Sequence, residues 1–296
     1  MSRIHDALKR AEQERATSLG THVEPSFEQP VAEQMPMPPM HSPSVSGMPM
    51  ASDLNYETLL ARSQAVAWNP DPTTMLFFQD DETRLGAEEF RTLRSRLYQI
   101  REKMPLKRLL VTSALPKEGK SFVAANLAQV LVRQHGRRAL IVDADLRNPG
   151  LHRHLGTSGT PGLSEYLMGE CDEFAAMQRG TMENLFFMPA GRVVPGAAEL
   201  LSNGRLKMFL QRVEPLFDWI ILDSAPVIPV SDSTIVASAC DGVLMVVRSN
   251  VTPSPLAKRA REEFPDKLLL GVVLNGTSTD KMHQSKYYYG EAVATT

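Results

Sequence analysis

The stretch "SALPKEGKS" places Gly119, Lys120 and Ser121 in a row. Those types can hold a polyphosphate: backbone N–H groups curl around phosphate oxygens, an ammonium reaches the β/γ oxygens, and a hydroxyl binds Mg²⁺. Ala114 stands where the phosphate-loop pattern has its first glycine, so the match is partial. Further on, "LIVDADLRNPG" carries Asp143 and Asp145 two residues apart. On an extended chain both carboxylates point to one side, where they repel unless a cation lies between them. A third segment, "WIILDSAP", ends an apolar run on Asp223, the usual position of a Mg²⁺-supporting carboxylate in phosphate-loop nucleotidases. Each item alone has a blander reading, a chance "GKS" or a turn at a strand end. The three fall in order at the ends of predicted strands, which favours one Mg²⁺–nucleotide site.

The elements that must position these residues alternate. "RLLVTSA", "RALIVDAD", "NLFFMPAG", "DWIILDSAP", "DGVLMVVRS" and "KLLLGVVLN" read as buried strands. Helical stretches lie between them, among them "SFVAANLAQVLVRQ", "GAAELLSNGRLKMFLQRVEPL" and "SDSTIVASAC". Continuous apolar strands separated by helices predict a mainly parallel sheet covered on both faces, an α/β fold. Ligands in such folds bind at the carboxyl ends of the strands. Ahead of the first strand, "RLGAEEFRTLRSRLYQIR" puts Leu85, Phe90, Leu93 and Leu97 at helical spacing.

Composition divides the 296-residue chain unevenly. Residues 1–16 form a short amphipathic helix in this reading, with Ile4, Ala7, Leu8 and Ala11 on one stripe and Ser2 as cap. It either docks on a partner or its own domain, or frays in solvent. Residues 17–81 are rich in Pro and Met without periodicity and read as a disordered linker. The globular domain is assigned to 82–282 and a flexible tail to 283–296. Net charge is −2, which gives no sign of a general nucleic-acid binder. Cys171 and Cys240 form no metal or redox motif and suit a reducing cytoplasm. "HRH" at His152–His154 reads as loop rather than metal site. No apolar run reaches membrane-spanning length.

Taken together, "SALPKEGKS", "LIVDADLR" and "IILDSAP" resemble the Walker A, A′ and B motifs of the bacterial tyrosine kinases, autokinases of capsule and exopolysaccharide assembly. The resemblance spans about residues 82–290. Its most specific item is three apolar residues followed by Asp143, Asp145 and Arg147. "SRIHDALKRAEQER" and the PKEGKS loop resemble the subgroup encoded with exosortase-type systems. The resemblance implies a P-loop nucleotidase fold of the MinD/ParA kind, and ATP and Mg²⁺ as cofactors. It also implies a separate inner-membrane polysaccharide co-polymerase as activating partner, and a cytoplasmic protein reaching the membrane only through that partner. Lys120 and the loop residues Lys117, Glu118, Gly119, Ser121 and Phe122 would hold the nucleotide. Ser121, Asp145 and Asp223 would hold the metal, and Asp143 would orient or deprotonate the acceptor hydroxyl. Arg147 organises the A′ loop or an interface. Asn275, ending "GVVLNG", is either an adenine contact or a strand-terminal turn residue.

Two more features fit. Glu88, Arg91 and Arg94 match the E-x-x-R-x-x-R pattern on the helix that builds a ring of subunits in this family; read alone they are a solvated charged face. Tyr287, Tyr288 and Tyr289, half of the six tyrosines in the chain, match the family's terminal acceptor cluster. There are departures as well. Lys117 replaces a glycine common in the loop, and the signature lysine of MinD/ParA proteins would fall at Leu115. The alternative is a nucleotide-switched assembly ATPase whose tyrosines are incidental.

Overall fold

The computed structural model describes residues 54–78, 86–134, 136–265 and 268–277. The 1–16 helix and the 283–296 tail, with Tyr287, Tyr288 and Tyr289, lie outside them. Eight strands form one sheet: β1 (Gln64–Ala65), β2 (Arg108–Ser113), β3 (Ala139–Asp143), β4 (Gln178–Arg179), β5 (Leu185–Met188), β6 (Trp219–Asp223), β7 (Gly242–Arg248) and β8 (Leu269–Asn275). Their spatial order is β1-β4-β5-β3-β6-β2-β7-β8. Every neighbouring pair is parallel except β4–β5. The expected α/β architecture and all six expected strands are present, but β8, read as buried, is an edge strand with Val272 and Leu274 exposed. The two-residue strands β1 and β4 are too short to carry a periodic signal.

Strand alternation sends side chains to two cores. Leu110, Leu140, Val142, Ile220 and Leu222 face the helices Ala197–Ser202, Arg205–Val213 and Asp232–Ala237. Leu109, Val111, Ile141 and Ile221 face the helices Ala87–Arg101 and Lys120–Val132. Each such side chain contributes about 1.5–3 kcal/mol through burial. The single helical stretch read across 196–216 is in fact two helices. Gly204, at φ +83°, begins the second in a left-handed conformation that glycine adopts without penalty.

The 17–81 linker reading does not hold for its last third. Residues 56–62 form a helix (Tyr56–Arg62) whose Asn55 side chain caps it, accepting the Thr58 N–H at 2.8 Å. Trp68, Met75, Leu76 and Phe77 are buried in the second core. The Pro/Met composition upstream masked four apolar anchors spread over ten residues, a spacing that matches neither helix nor strand. A strap of chain, Val66–Phe78, therefore crosses the domain. The Asn69 and Asp71 N–H groups donate to the Gly156 and His154 carbonyls at 3.1 and 3.2 Å. A Cβ on Gly156 would fall 1.7 Å from the Asn69 oxygen, so this crossing requires glycine.

Candidate active site

The carboxyl ends of β2, β3 and β6 sit side by side. Asp143 and Asp223 are register partners on adjacent parallel strands, and Val111 pairs with Asp223 from the other side. Both aspartates point into the interior and are fully buried, with Asp145 almost so. The loop after β2 ends at Gly119, and the Lys120–Val132 helix starts immediately. Gly119 has φ +95°, and a Cβ there would meet the Asn275 side-chain nitrogen at 2.1 Å. Only glycine lets the loop turn here with β8 so close.

The Lys120 ammonium lies 2.8 Å from Asp145 Oδ2 and 3.8 Å from Asp223 Oδ1. It also donates to Ser121 Oγ at 3.4 Å. Burial opposes its charge, but the fields of Asp223 and Asp145 outweigh burial and raise its pKa above the ordinary lysine value. Asp143 accepts N–H groups from Gly150 and Leu151, both at 3.1 Å, and from Asp145 at 3.2 Å. Burial first, then the neighbouring Asp223 charge, still push its carboxyl up to about 7. Burial raises Asp223 to about 6, against the pull of Lys120. Neither oxygen of Asp223 accepts a well-formed hydrogen bond, its nearest cation being Lys120 at 3.8 Å. A buried carboxylate that accepts no hydrogen bond and has only one cation at 3.8 Å is costly, and a bound metal ion lowers that cost. The residues therefore fit a divalent metal with phosphate oxygens beside it: hard oxygen ligands, a hydroxyl, and an ammonium at the mouth of a helix.

The structure brings Lys120, Ser121, Asp143, Asp145 and Asp223 together as the motifs imply. The other loop residues divide. Lys117 has φ +66°, the left-handed region a glycine would occupy more easily, which is the physical content of the Lys-for-Gly departure. Its carbonyl accepts from Arg248 at 3.0 Å. The Glu118 side chain turns inward: its carboxylate accepts the Leu115 N–H at 2.7 Å and the Thr252 hydroxyl. It braces the loop, leaving only its backbone for a ligand. Phe122 packs edge-on against Phe90 with ring centroids 5.8 Å apart. Asn275 does reach the loop, donating to the Glu118 carbonyl at 2.9 Å. Beside it, a groove of about 470 Å³ runs between the Ala87–Arg101 helix and β8, lined by Leu93, Phe122, Val272 and Asn275.

Of the residues the resemblance implies for ring building, Glu88 is exposed and pairs with Arg91 at 3.1 Å. Arg94 donates to the Val130 carbonyl of its own domain at 3.1 Å. Arg147 leaves the metal side and pairs with Asp232. Asp232, Arg248 and Thr252 bear on the site and were not singled out from sequence. They act through contacts across the fold and belong to no local pattern. His152 and His154 lie on a short helix, Leu151–Leu155, rather than on a loop. Among the described residues no three His, Cys, Asp or Glu side chains converge to hold a metal by themselves, so a cation at Asp145 and Asp223 would take its further ligands from Ser121 and phosphate oxygens. Among those residues, too, no helix is long and apolar enough to cross a membrane.

No protein-family model matches the chain. It is 34% identical over 208 residues to the tyrosine-protein kinase YwqD of Bacillus subtilis, an alignment covering 70% of this chain and 87% of YwqD. It is 33% identical over 205 residues to the succinoglycan biosynthesis transport protein ExoP of Rhizobium meliloti, covering 66% of this chain but only 25% of ExoP. Among solved structures, the kinase domain of the Escherichia coli tyrosine kinase ETK matches with a TM-score of 0.62 at 29% identity. That match covers 67% of this chain and 78% of the ETK chain.

Proposed function

The chain belongs to the bacterial tyrosine kinases, and from that premise we propose how its residues divide the work of phosphoryl transfer. The loop amides from Lys117 to Phe122 and the Lys120 ammonium hold the β/γ-phosphates of ATP. Ser121, Asp145 and Asp223 hold Mg²⁺, which when bound neutralises phosphate charge. Asp143 orients the incoming tyrosine hydroxyl and takes its proton. A carboxyl raised to about 7 is matched to that task near neutral pH, where it is a stronger base than an ordinary aspartate and still half ionised. Three N–H donors fix its two oxygens, so the base is aimed before substrate arrives. Asn275 sits on the adenine side of the loop.

Tyr287, Tyr288 and Tyr289 are the acceptors in this reading, presented to a neighbouring subunit's site in a ring built through Glu88, Arg91 and Arg94. Each phosphate adds roughly −1.5 to −2 charges at neutral pH, so a modified tail is repelled by an acidic site and the ring loosens. The likeness to ExoP, whose name concerns polysaccharide biosynthesis and transport, supports a role in exopolysaccharide or capsule assembly. There the kinase works at the cytoplasmic side of the inner membrane with a chain-length protein as activator. The resemblance of the "SRIHDALKRAEQER" segment to members encoded with exosortase-type systems supports a role in such a system.

The observation that carries this reading is the convergence of Lys120, Asp145 and Asp223 on one point, with neither oxygen of Asp223 accepting a hydrogen bond. The test is incubation of the purified protein with Mg-ATP followed by phosphate mapping. Label on Tyr287–Tyr289 that disappears in Lys120→Met supports it. ATP hydrolysis with no phosphotyrosine would replace it with the nucleotide-switch alternative.

A further inference from the structure

The site depends on the spacing of two aspartates that stand on different strand ends. Asp223 is the last residue of β6, within the sheet. Asp145 lies two residues beyond β3, on the loop 144–150, so its place is set by how that loop is held. The start of the loop is tied down by the Ala144 N–H, which donates to the Asp223 carbonyl at 2.7 Å. Its end is tied down where the Gly150 and Leu151 N–H groups donate to Asp143. Between them, Arg147 reaches across to the segment that follows β6. Its Nε donates to Asp232 Oδ2 at 2.7 Å and its terminal nitrogen to Asp232 Oδ1 at 3.0 Å.

Asp232 stands on a rigid platform. It is fully buried at the start of the Asp232–Ala237 helix. The segment before it is stapled to β2: Thr112 Oγ1 donates to the Ala225 carbonyl at 2.9 Å, the Ser233 hydroxyl donates to the same oxygen, and the Val227 N–H donates to the Ser113 carbonyl at 2.8 Å. The Arg147 side chain, by contrast, is 46% exposed. A two-pronged Arg–carboxylate pair sets both distance and angle, which a point charge does not. The loop also holds itself, through the Asp145 N–H to Asp143 at 3.2 Å and the Asn148 N–H to Asp145 Oδ1 at 3.0 Å, and the fork adds the side-chain tie that joins it to a platform fastened to the strand that leads into the phosphate loop.

We infer that Asp232 is a positioning residue for the phosphoryl-transfer site: by gripping Arg147 it holds the Asp145 loop at a fixed separation from Asp223 and Lys120. This rests on the proposed placement of Mg²⁺ between Asp145 and Asp223. Residues that orient metal ligands typically cost about 10–100-fold in metal affinity or activity when altered.

The test uses the full chain and titrates Mg²⁺ at fixed ATP, reading nucleotide binding and tyrosine phosphorylation, with thermal melting in parallel. Arg147→Lys keeps the charge and loses the fork. It should melt near the wild-type temperature, raise the Mg²⁺ concentration for half-saturation about tenfold, and regain most of the maximal rate at high Mg²⁺. Arg147→Gln and Asp232→Asn should each raise it at least as far, and their combination should do no worse than the poorer single variant. An unchanged Mg²⁺ requirement in Arg147→Lys would overturn the inference, as would losses that multiply in the double variant. Should the wild type itself show no Mg²⁺-dependent ATP binding, the metal assignment fails, and this inference fails with it. Asp145→Ala provides the matching control, since it must lose the Mg²⁺ dependence whether or not the fork matters.

Discussion

Two faces of the Lys120–Val132 helix treat buried polar groups in opposite ways. At its first turn, Lys120 and three buried carboxylates crowd together, and neither oxygen of Asp223 accepts a well-formed hydrogen bond. Along its outer side, Asn126 and Gln129 are equally buried, yet their amides are matched group for group. Asn126 Oδ1 accepts the Leu76 N–H at 2.8 Å, while Nδ2 donates to the Thr74 carbonyl at 2.8 Å and the Phe122 carbonyl at 3.0 Å. Gln129 Oε1 accepts the Phe77 N–H at 3.2 Å, and Nε2 donates to the Ala125 carbonyl at 3.0 Å. The satisfied seam stabilises the fold by fastening the 66–78 strap. The unsatisfied end is held in readiness for a ligand, and the stability it forgoes is recovered when one binds.

The sharpest way to break this contrast is Lys120→Met. Phosphorylation should fall by about 10²–10³-fold, the scale for losing one positioned charge at a transition state. The remaining carboxylates then have no cation among them, so the variant should melt lower at pH 8 and recover toward pH 6. The sign follows from the raised pKa values of Asp143 and Asp223: a carboxyl that holds its proton more tightly when folded favours the fold at low pH, and the benefit is lost as pH climbs through 6 to 7. Equal melting at both pH values would remove the claim that these carboxylates are frustrated.

Asn126→Ala attacks the other face. It leaves the Leu76 N–H and the Thr74 carbonyl buried without partners, at about 2–4 kcal/mol in chemical denaturation, while activity at low temperature stays within a few-fold. A variant that melts normally but loses nucleotide binding would erase the distinction between the faces.

A gentler and opposite effect is expected at Asp223→Asn. Mg²⁺-dependent ATP binding should disappear in calorimetry, yet at pH 8 the protein without nucleotide should gain about 1 kcal/mol, because a buried charge that accepts no hydrogen bond is gone while Lys120 keeps its closer pair with Asp145. Loss of stability would show that Asp223 is fully compensated by Lys120. The smallest change concerns Lys117→Gly, which relieves a left-handed lysine at a backbone-entropy cost of similar size; denaturation midpoints should move by no more than about 1 kcal/mol. A larger gain would mean that the loop stores more strain than φ +66° suggests.

The residues at the strand ends were legible because strand geometry is local. A buried run such as Trp219–Asp223 or Ala139–Asp143 must end somewhere, and each of these ends on an aspartate; Asp145 lies past the end of β3, on a loop whose own ties set its place. The strap was not legible, because its anchors Trp68, Met75, Leu76 and Phe77 follow no period and their partners Asn126 and Gln129 lie some fifty residues away. Glu118 misled for a related reason. Its position in the loop suggested a ligand contact, while its side chain had a partner in Thr252, 134 residues distant.

The amino-acid order by itself determined the six longer strands, and that Asp143 and Asp223 end two of them while Lys120, Ser121 and Asp145 follow just beyond strand ends, since helix and strand periods are set by each residue's near neighbours. Tertiary structure alone decided that Asp143 lies beside Asp223, that Arg147 turns to Asp232, and that a proline-rich stretch becomes a fastened strap. Those outcomes depend on which buried groups find partners when distant segments are packed into one interior, and no local pattern encodes that choice.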